Sequence, residues 1–316
     1  MRNTKSISVV YLTLNAEPYI NNFIKNILNQ SLKPQEILVI DSESTDNTIK
    51  IAENYSEVKI INIKRNNFDH GGTRHLALEH SKGEIVLFFS QDAEIIDSNY
   101  INNIVRNFND ESVAMVYGRQ VPRENAPPYE QLIRSYNYPT VSKVKTKNDI
   151  STLGIKCFYM SDVCSAYRKD IYYTLGGFEK LTLTNEDMLI ATKAIFAGYK
   201  VVYDSKAVVM HSHNYTFSQE LRRNFDVAAF LQIYSKFYSN ININSEGVKL
   251  VKYVLYNLTV HCNFLSIMIF IYICIGKYFG NRLGKVFDKI PHFLVLYLTT
   301  NKNFWSKFFN SSFPHL

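Results

Sequence analysis

The stretch GTRHLALEHSKGEIVLFFSQDAEIID, residues 72–97, decides the fold. Its first part spaces apolar residues as a helix does and closes on Gly83, while EIVLFF (84–89) is a short apolar run of β-branched and aromatic residues. Such a run between a glycine and a polar turn reads as a buried strand. The strand then stops at a carboxylate, Asp92. The pattern helix, glycine, buried strand, aspartate is one unit of an alternating α/β chain, and the neighbouring sequence repeats it.

On the N-terminal side, Ile7–Leu14 is a strand, and after Pro18 the residues Ile20, Phe23, Ile24, Ile27 and Leu28 fall at helical spacing. EILVID (36–41) is a second strand, STDNTIKIAENY (44–55) a helix with Ser/Thr/Asp start signals, and VKIINI (58–63) a third strand. On the C-terminal side, SNYINNIVRNF (98–108) reads as a helix and VAMVYGRQV (113–121) as a fifth strand. The alternation predicts an α/β fold, a parallel doubly wound sheet with helices on both faces. Ligands bind such sheets at the carboxyl ends of the strands. Asp41 and Asp92 both sit there, so they point to a common cleft, although either could serve as an ordinary loop or cap residue.

Residues 123–156 lose the periodicity and contain Pro127, Pro128 and Pro139, directly after Pro122, which predicts an insertion or mobile segment. Regular signals return with a strand and helix over 160–178 closing on Gly176 and Gly177, a helix within 183–199, and a strand over 200–213. Beyond Phe225 the chain reads as helices, giving an expected division into residues 1–225 and 226–316.

Composition sets bounds on partners. Across 316 residues, 46% are hydrophobic, enough for a sizeable core. Of the net charge of +7, the part from Asp226 onward supplies nine Lys/Arg against three Asp/Glu. A basic, aromatic C-terminal region suits anionic lipid or phosphate, and with no nucleic-acid-binding motif in the chain a nucleic-acid partner is not expected. Cys157, Cys164, Cys262 and Cys274 form no CxxC pair, which suits buried thiols in a reducing compartment. The opening MRNTKSISVVYLTLNAEP reads as a first strand rather than a secretion signal. YVLYNLTVHCNFLSIMIFIYICIG (253–276) carries no formal charge and is long enough to cross a bilayer, but Asn257, Thr259, His261 and Asn263 are costly in lipid. A buried or interfacial helix is therefore expected there.

Three motifs carry chemistry. TNEDM (184–188) places Glu186 and Asp187 at a helix start, where a carboxylate suits the helix dipole and could act as a general base; Thr184 and Asp187 also have capping-box spacing, which needs no catalysis. HSH (211–213) ends a strand, and its i, i+2 spacing puts His211 and His213 on one face, as a mixed oxygen and nitrogen metal site with Asp92 would require. QELRR (219–223) offers Arg222 and Arg223 as guanidinium forks for a diphosphate, or as a solvated charge pair.

Together VVYLTLNAEPYI, VIDSESTDNT, GTRHLALEHSKGEIVLFFSQDA, GGF, NED and the following histidine resemble family 2 glycosyltransferases, in order, over about the first 225 residues. More narrowly, FDHGGTRHLAL, SQDA, HSHNYTFSQELRRNFD and KYFGNRLGKVFDKIP resemble bacterial rhamnosyltransferases of surface-polysaccharide assembly. The resemblance implies a GT-A fold, a mixed and mainly parallel sheet flanked by helices, with a C-terminal helical region. It also implies a divalent cation, Mg²⁺ or Mn²⁺, a nucleotide-sugar donor such as dTDP-L-rhamnose, and a lipid-linked glycan acceptor at the cytoplasmic membrane surface. By residue it implies Thr13, Asp41, Arg74, Gln91, Asp92, Arg222 and Arg223 at the donor, Asp92 with His211 or His213 at the metal, and Asp187 with Glu186 in catalysis. Gln219 falls with the two arginines in a Q-x-x-R-[RW]-like element. The expected Asp-x-Asp is here Gln91-Asp92-Ala93, which leaves one firm carboxylate for the ion. Competing readings are a UDP-hexose donor, a degenerate scaffold or glycan-binding subunit, and a metal-dependent hydrolase built on Asp92 and the two histidines.

Overall fold

The computed structural model describes residues 5–239, 241 and 244–310. In chain order the elements are β1 Ile7–Thr13, α1 Glu17–Leu28, β2 Glu36–Asp41, α2 Thr48–Ala52, β3 Val58–Asn62, α3 His70–His80, β4 Ile85–Phe89, β5 Glu94–Ile95, α4 Tyr100–Val105, β6 Val113–Val121, α5 Pro128–Asn137, β7 Lys143–Lys145, α6 Ile150–Leu153, β8 Cys164–Arg168, α7 Lys169–Thr174, α8 Glu186–Phe196 and β9 Lys200–Met210. They are followed by α9 Phe217–Ile233, α10 Ser235–Tyr238, α11 Asn244–Val260, α12 Phe264–Gly284, α13 His292–Leu298 and α14 Lys302–Asn310. Two compact units result: Met1–Arg123 with Asn137–Lys180 and Asp187–Ser212, and Glu124–Tyr136 with Leu181–Glu186 and His213–Leu316.

The first unit is built on one sheet of order β3-β2-β1-β4-β8-β6-β9-β5, with β7 also on β9. β1, β2, β3 and β4 are mutually parallel, as the alternation predicts. The sheet is nevertheless mixed: β8 runs antiparallel to both β4 and β6, and β5 and β7 run antiparallel to β9. Alternation alone misreads β8 because strand direction depends on the connection before it, and the chain reaches β8 through the long segment 123–156.

Side-chain alternation explains why β1 and β4 are continuous apolar runs. Ile7, Val9 and Tyr11 of β1, Ile37 and Val39 of β2, and Ile85, Leu87 and Phe89 of β4 form one face, packed with Ile20, Phe23, Ile24 and Ile27 of α1 and Ile101 and Ile104 of α4. Tyr11 stacks on Phe23 at a centroid distance of 3.7 Å. The other residues of the same strands point the opposite way, where Phe88 meets Tyr167 of β8 and the guanidinium of Arg74 on α3.

Several boundaries differ from the sequence reading. The second helix is only Thr48–Ala52, because Asp46 bonds both the amide and the hydroxyl of Thr48 and holds the preceding residues in a turn. α3 starts at His70, two residues earlier than its apolar pattern, since Asp69 caps it by accepting from Gly72 N–H at 2.7 Å. Residues 123–156 are not featureless: they hold α5, β7 and α6. β9 stops at Met210, so both histidines lie beyond the strand rather than in it.

In the second unit, the uncharged run 253–276 is not one helix. The chain turns at Cys262, whose φ is +51°, and Asn263 then caps α12. α12 is long and apolar enough, by length and composition, to cross a membrane, with a mean hydropathy of 1.5 and 28% of its apolar window buried. Of the buried or interfacial helix expected, the buried alternative therefore does not hold. One face carries Gly276, Gly280 and Gly284, all buried against α9: a Cβ at Gly280 would run into the Leu221 carbonyl oxygen, and one at Gly284 into that of Phe225. Glycines at i, i+4 and i+8 let the two helix backbones approach closely. The core below contains Phe225, Ala229, Phe287, Val295, Phe304 and Trp305. Buried Asp226 ties it to the chain between α13 and α14, accepting from the Thr299 hydroxyl at 2.6 Å and the Thr300 amide at 2.7 Å.

The glycine ridge predicts that Gly280→Leu, which must displace backbone rather than a flexible side chain, lowers stability by about 1–3 kcal/mol or more. Urea unfolding followed by circular dichroism reads this. The surface glycine Gly247, with nothing within 4 Å of its would-be Cβ, is the comparison site.

Candidate active site

The carboxyl ends of β1 and β4 open into a cleft of about 410 Å³ in the first unit, lined by Leu12, Thr13, Leu14, Ser42, Arg65, Phe68, His70, Arg74, Phe89, Ser90, Gln91 and Asp92. The two strand ends are tied together, as the Gln91 side-chain carbonyl accepts from Leu14 N–H at 2.9 Å and its backbone carbonyl accepts from the Tyr11 hydroxyl. Thr13 is at the floor, donating to Asp41 Oδ1 at 2.9 Å. Asp41 itself is 1% exposed, and its Oδ2 also accepts from Ser44 N–H at 2.8 Å. It stands beside the lining residues Thr13 and Ser42, not among them. Arg65, Phe68 and His70 line the same cleft and were not singled out from sequence; the FDHGG segment just before α3 was the available signal.

Asp92 lies three residues past β4, half-buried, with its backbone carbonyl accepting from Arg123 at 2.6 Å. Its Oδ1 is 3.4 Å from Nε2 of His211, which is 3% exposed. The orientation of that imidazole is fixed from behind. Gln120 donates through Nε2 to the Ser161 hydroxyl at 2.8 Å, which turns its Oε1 toward His211 Nδ1 at 2.9 Å. In the neutral ring this network places the proton on Nδ1, leaving the Nε2 lone pair facing the Asp92 carboxylate. Two acceptors facing each other with a hydrogen-bonded imidazole behind are the donor set a divalent cation would satisfy. Gln120 and Ser161 carried no sequence signal, because they support the ligand and do not present to the cleft. His213 is two residues on, where the second unit begins.

Asp187 is half-buried at the start of α8. Its Oδ1 accepts from Met188 N–H at 2.7 Å and its Oδ2 from Asp162 N–H at 3.1 Å. Its neighbour Glu186 is 8% exposed and opens the same helix, after Asn185 turns the chain with a φ of +56°. Arg74 lines the cleft yet is 7% exposed, pairing through Nε with Asp162 Oδ2 at 3.1 Å and donating to the His70 carbonyl at 3.0 Å. Lys145 of β7 is buried with its ammonium 4.7 Å from the centre of the Tyr117 ring and bonded to the Tyr159 carbonyl. Burial lowers this amine from 10.5 to about 7, with the Cys157 and Asp187 charges opposing the shift.

In the second unit, Arg222 is half-buried with its guanidinium 5.1 Å from the centre of the Tyr297 ring, and Arg223 is exposed, 4.4 Å from that of Tyr215. Gln219 caps α9 with Thr216 in a capping box.

Residues 8–176 match the family model described as Glycosyl transferase family 2. The O-antigen chain rhamnosyltransferase RfbN of Salmonella typhimurium is 36% identical over 308 residues, 97% of this chain and 98% of that one. The O-antigen chain rhamnosyltransferase WbaN of Salmonella anatum is 37% identical over 294 residues, 92% and 93% of the two chains. Among solved structures, the mannosyltransferase PcManGT from Pyrobaculum calidifontis, in complex with GDP-Man and Mn²⁺, superposes with a TM-score of 0.61 at 17% identity, covering 92% of this chain and 89% of that one. S. aureus TarS 1–349 in complex with UDP-GlcNAc gives a TM-score of 0.56 at 18% identity, covering 96% and 86%. This chain belongs to glycosyltransferase family 2 and has the GT-A fold.

The Lys145 environment predicts a pH-dependent mutant effect. Its folded value lies below its unfolded one, so the unfolded chain binds the extra proton and stability from this group rises between about pH 7 and 10.5. Lys145→Met therefore stabilises most below about pH 7, on the order of a few kcal/mol, with the gain shrinking toward pH 10. Urea titrations at acidic and alkaline pH check the sign.

Proposed function

We propose that this enzyme transfers a sugar, L-rhamnose from dTDP-L-rhamnose, to a hydroxyl of a lipid-linked glycan during bacterial surface-polysaccharide assembly, with inversion at the anomeric carbon. The transferred sugar and the product class are supported by the names of the two relatives that align over nearly the whole chain, both O-antigen chain rhamnosyltransferases. The chemistry is supported by one observation above the rest: Asp92 and His211 face each other at the end of a cleft that opens at the carboxyl edge of the sheet.

In this reading Thr13, Asp41 and Gln91 shape the donor subsite, Arg74 forms part of its wall, and Arg222 and Arg223 serve the diphosphate. Asp92 and His211, with His213 of the same HSH motif, would hold Mg²⁺ or Mn²⁺. A bound divalent ion supplies charge neutralisation to the departing nucleoside diphosphate. Asp187, the more exposed of the helix-start pair, accepts the proton of the acceptor hydroxyl as that oxygen attacks the anomeric carbon, while Glu186 helps set the charge around it. Both oxygens of Asp187 are held by backbone N–H groups, so the carboxylate is aimed before substrate arrives.

The second unit supports action at the cytoplasmic membrane surface. Opposite its glycine ridge, α12 exposes Phe264, Met268, Ile271, Ile275, Tyr278 and Phe279, and α13 exposes Phe293 and Tyr297. An apolar stripe on a helix held sideways by its neighbour suits burial in the plane of the interface, with nearby lysines toward anionic headgroups.

Asp187→Asn keeps the size and the helix-start position but removes the base, and is expected to lower kcat by about 10²–10⁴-fold. Asp92→Ala should abolish Mn²⁺-dependent dTDP binding in calorimetry. A folded Asp187→Asn enzyme with wild-type turnover sinks the base assignment, and chelator-insensitive dTDP affinity in the wild type sinks the metal site. A variant carrying Met268→Glu and Ile275→Glu should lose at least about tenfold in flotation with phosphatidylethanolamine/phosphatidylglycerol vesicles, since each buried apolar side chain contributes about 1.5–3 kcal/mol. Equal flotation of both proteins would show that this face does not dock.

A further inference from the structure

We propose that Asp162 is the positioning residue of this active site, holding the base Asp187 on one side and the cleft-wall guanidinium of Arg74 on the other. The inference rests on the reading of Asp187 as the base. Asp162 precedes β8, is 4% exposed, and makes contacts with both of its carboxylate oxygens and its amide. Oδ1 accepts from the hydroxyls of Ser165 at 2.7 Å and Tyr167 at 2.6 Å. Oδ2 lies 3.1 Å from Arg74 Nε. Its N–H donates to Asp187 Oδ2 at 3.1 Å.

Each contact has a physical consequence. A buried carboxylate beside a second carboxylate is costly unless it is paired, and Arg74 supplies the pairing charge. With both oxygens engaged and nearly no exposure, Asp162 cannot itself receive a proton from an acceptor, so it is not a competing base. Its amide is one of the two N–H groups that fix the Asp187 carboxylate, the other being Met188 N–H at 2.7 Å from Oδ1. Ser165 and Tyr167 belong to β8, whose register against β4 is set by the pairs Phe88 with Ser165 and Val86 with Tyr167. The base is thereby referenced to the central strands through Asp162 and does not depend on α8 alone. Arg74, 6.0 Å from the Phe88 ring centre and lining the donor cleft, is held to the same point. A guanidinium committed to Asp162 through Nε acts on the donor from a fixed position, as a wall of set charge.

The test is Asp162→Asn, which retains the backbone N–H and an acceptor for Ser165 and Tyr167 but leaves Arg74 unneutralised. Turnover is read as dTDP release from dTDP-L-rhamnose with isolated membranes as acceptor source. The expected result is a fall in kcat of about 10–100-fold, the size of a small misplacement of a reacting group, with any rise in donor KM smaller than the fall in kcat. dTDP-binding stoichiometry, measured by calorimetry, should be unchanged, which separates slower chemistry from a smaller folded fraction. The Arg74→Met/Asp162→Asn double variant should lose no more kcat than the worse single variant, because the two residues act as one unit. Wild-type kcat in folded Asp162→Asn, a stoichiometry that falls in step with kcat, or additive losses in the double variant would each overturn the proposal. Asp187→Asn distinguishes the two failures: wild-type turnover there places the fault in the base assignment, whereas an inactive Asp187→Asn beside a fully active Asp162→Asn places it in the positioning role.

Discussion

The parallel pairing of β1 with β4 is the constraint on which the catalytic unit depends. Both strands are buried on both faces, so slipping the register by one residue would exchange Val9, Tyr11, Leu87 and Phe89 for the side chains of the opposite face and unpack α1 and α4. That cost fixes where the strands end, and therefore where Thr13, Gln91 and Asp92 stand. The Gln91 side chain bonding Leu14 N–H closes the gap between the two ends, and the cleft is what remains beyond it. The hydrophobic effect here does its functional work indirectly: it sets the coordinates of a few polar residues that contribute little to the core.

Behind that edge lies a second layer of buried polar groups, and three of its members are held by named partners. Asp41 is satisfied by Thr13 and Ser44, His211 by Gln120, and Asp162 by Arg74, Ser165 and Tyr167. In a low-dielectric setting an unmatched member of such a set is expensive, whereas a matched one is rigid. The rigidity is what lets a site with one firm carboxylate, where Asp-x-Asp supplies two, present a defined donor set. Gln120 and Ser161 take over part of the orienting work by holding the imidazole that faces Asp92.

What was legible in the sequence follows from these same physics. Residues 7–121 alternate apolar strands with amphipathic helices, so strand identity, order of elements and the carboxylates at strand ends could be read directly. Direction could not: β8 has the same apolar pattern whether it runs with or against β4, and its reversal is decided by the path through 123–156, where α5 begins in the Pro127-Pro128 pair and β7 has only 3 residues. The site divides similarly. Asp92, Asp187 and His211 stand out because polar residues at the ends of apolar runs are conspicuous. Arg65, Phe68 and His70 sit on a connecting segment without a period, and Gln120, Ser161 and Asp162 act through hydrogen bonds between residues tens of positions apart, which no local pattern encodes.

The α12 helix shows how one pattern can carry two physical meanings. Its apolar length satisfies a bilayer-crossing criterion, and its Gly276, Gly280 and Gly284 spacing is the one that membrane helices use to meet face to face. A spanning helix, however, would carry its neighbour into the hydrocarbon along the whole contact. The neighbour is α9, which over the same stretch of sequence carries Glu220, Arg222, Arg223 and Asn224, with Glu220 paired to Lys277 of α12 itself at 3.2 Å. A charge pair on the glycine-bearing side and an apolar stripe on the outer side make this helix differ from side to side and not from end to centre. That asymmetry is the one the proposed docking in the plane of an interface asks for, whereas a bilayer-crossing helix differs from end to centre. The glycine ridge is therefore best understood as what frees the outer face: close backbone approach, with the Glu220–Lys277 pair beside it, secures α12 to α9 and leaves Phe264, Met268, Ile271, Ile275 and Phe279 unspent in the protein's own core.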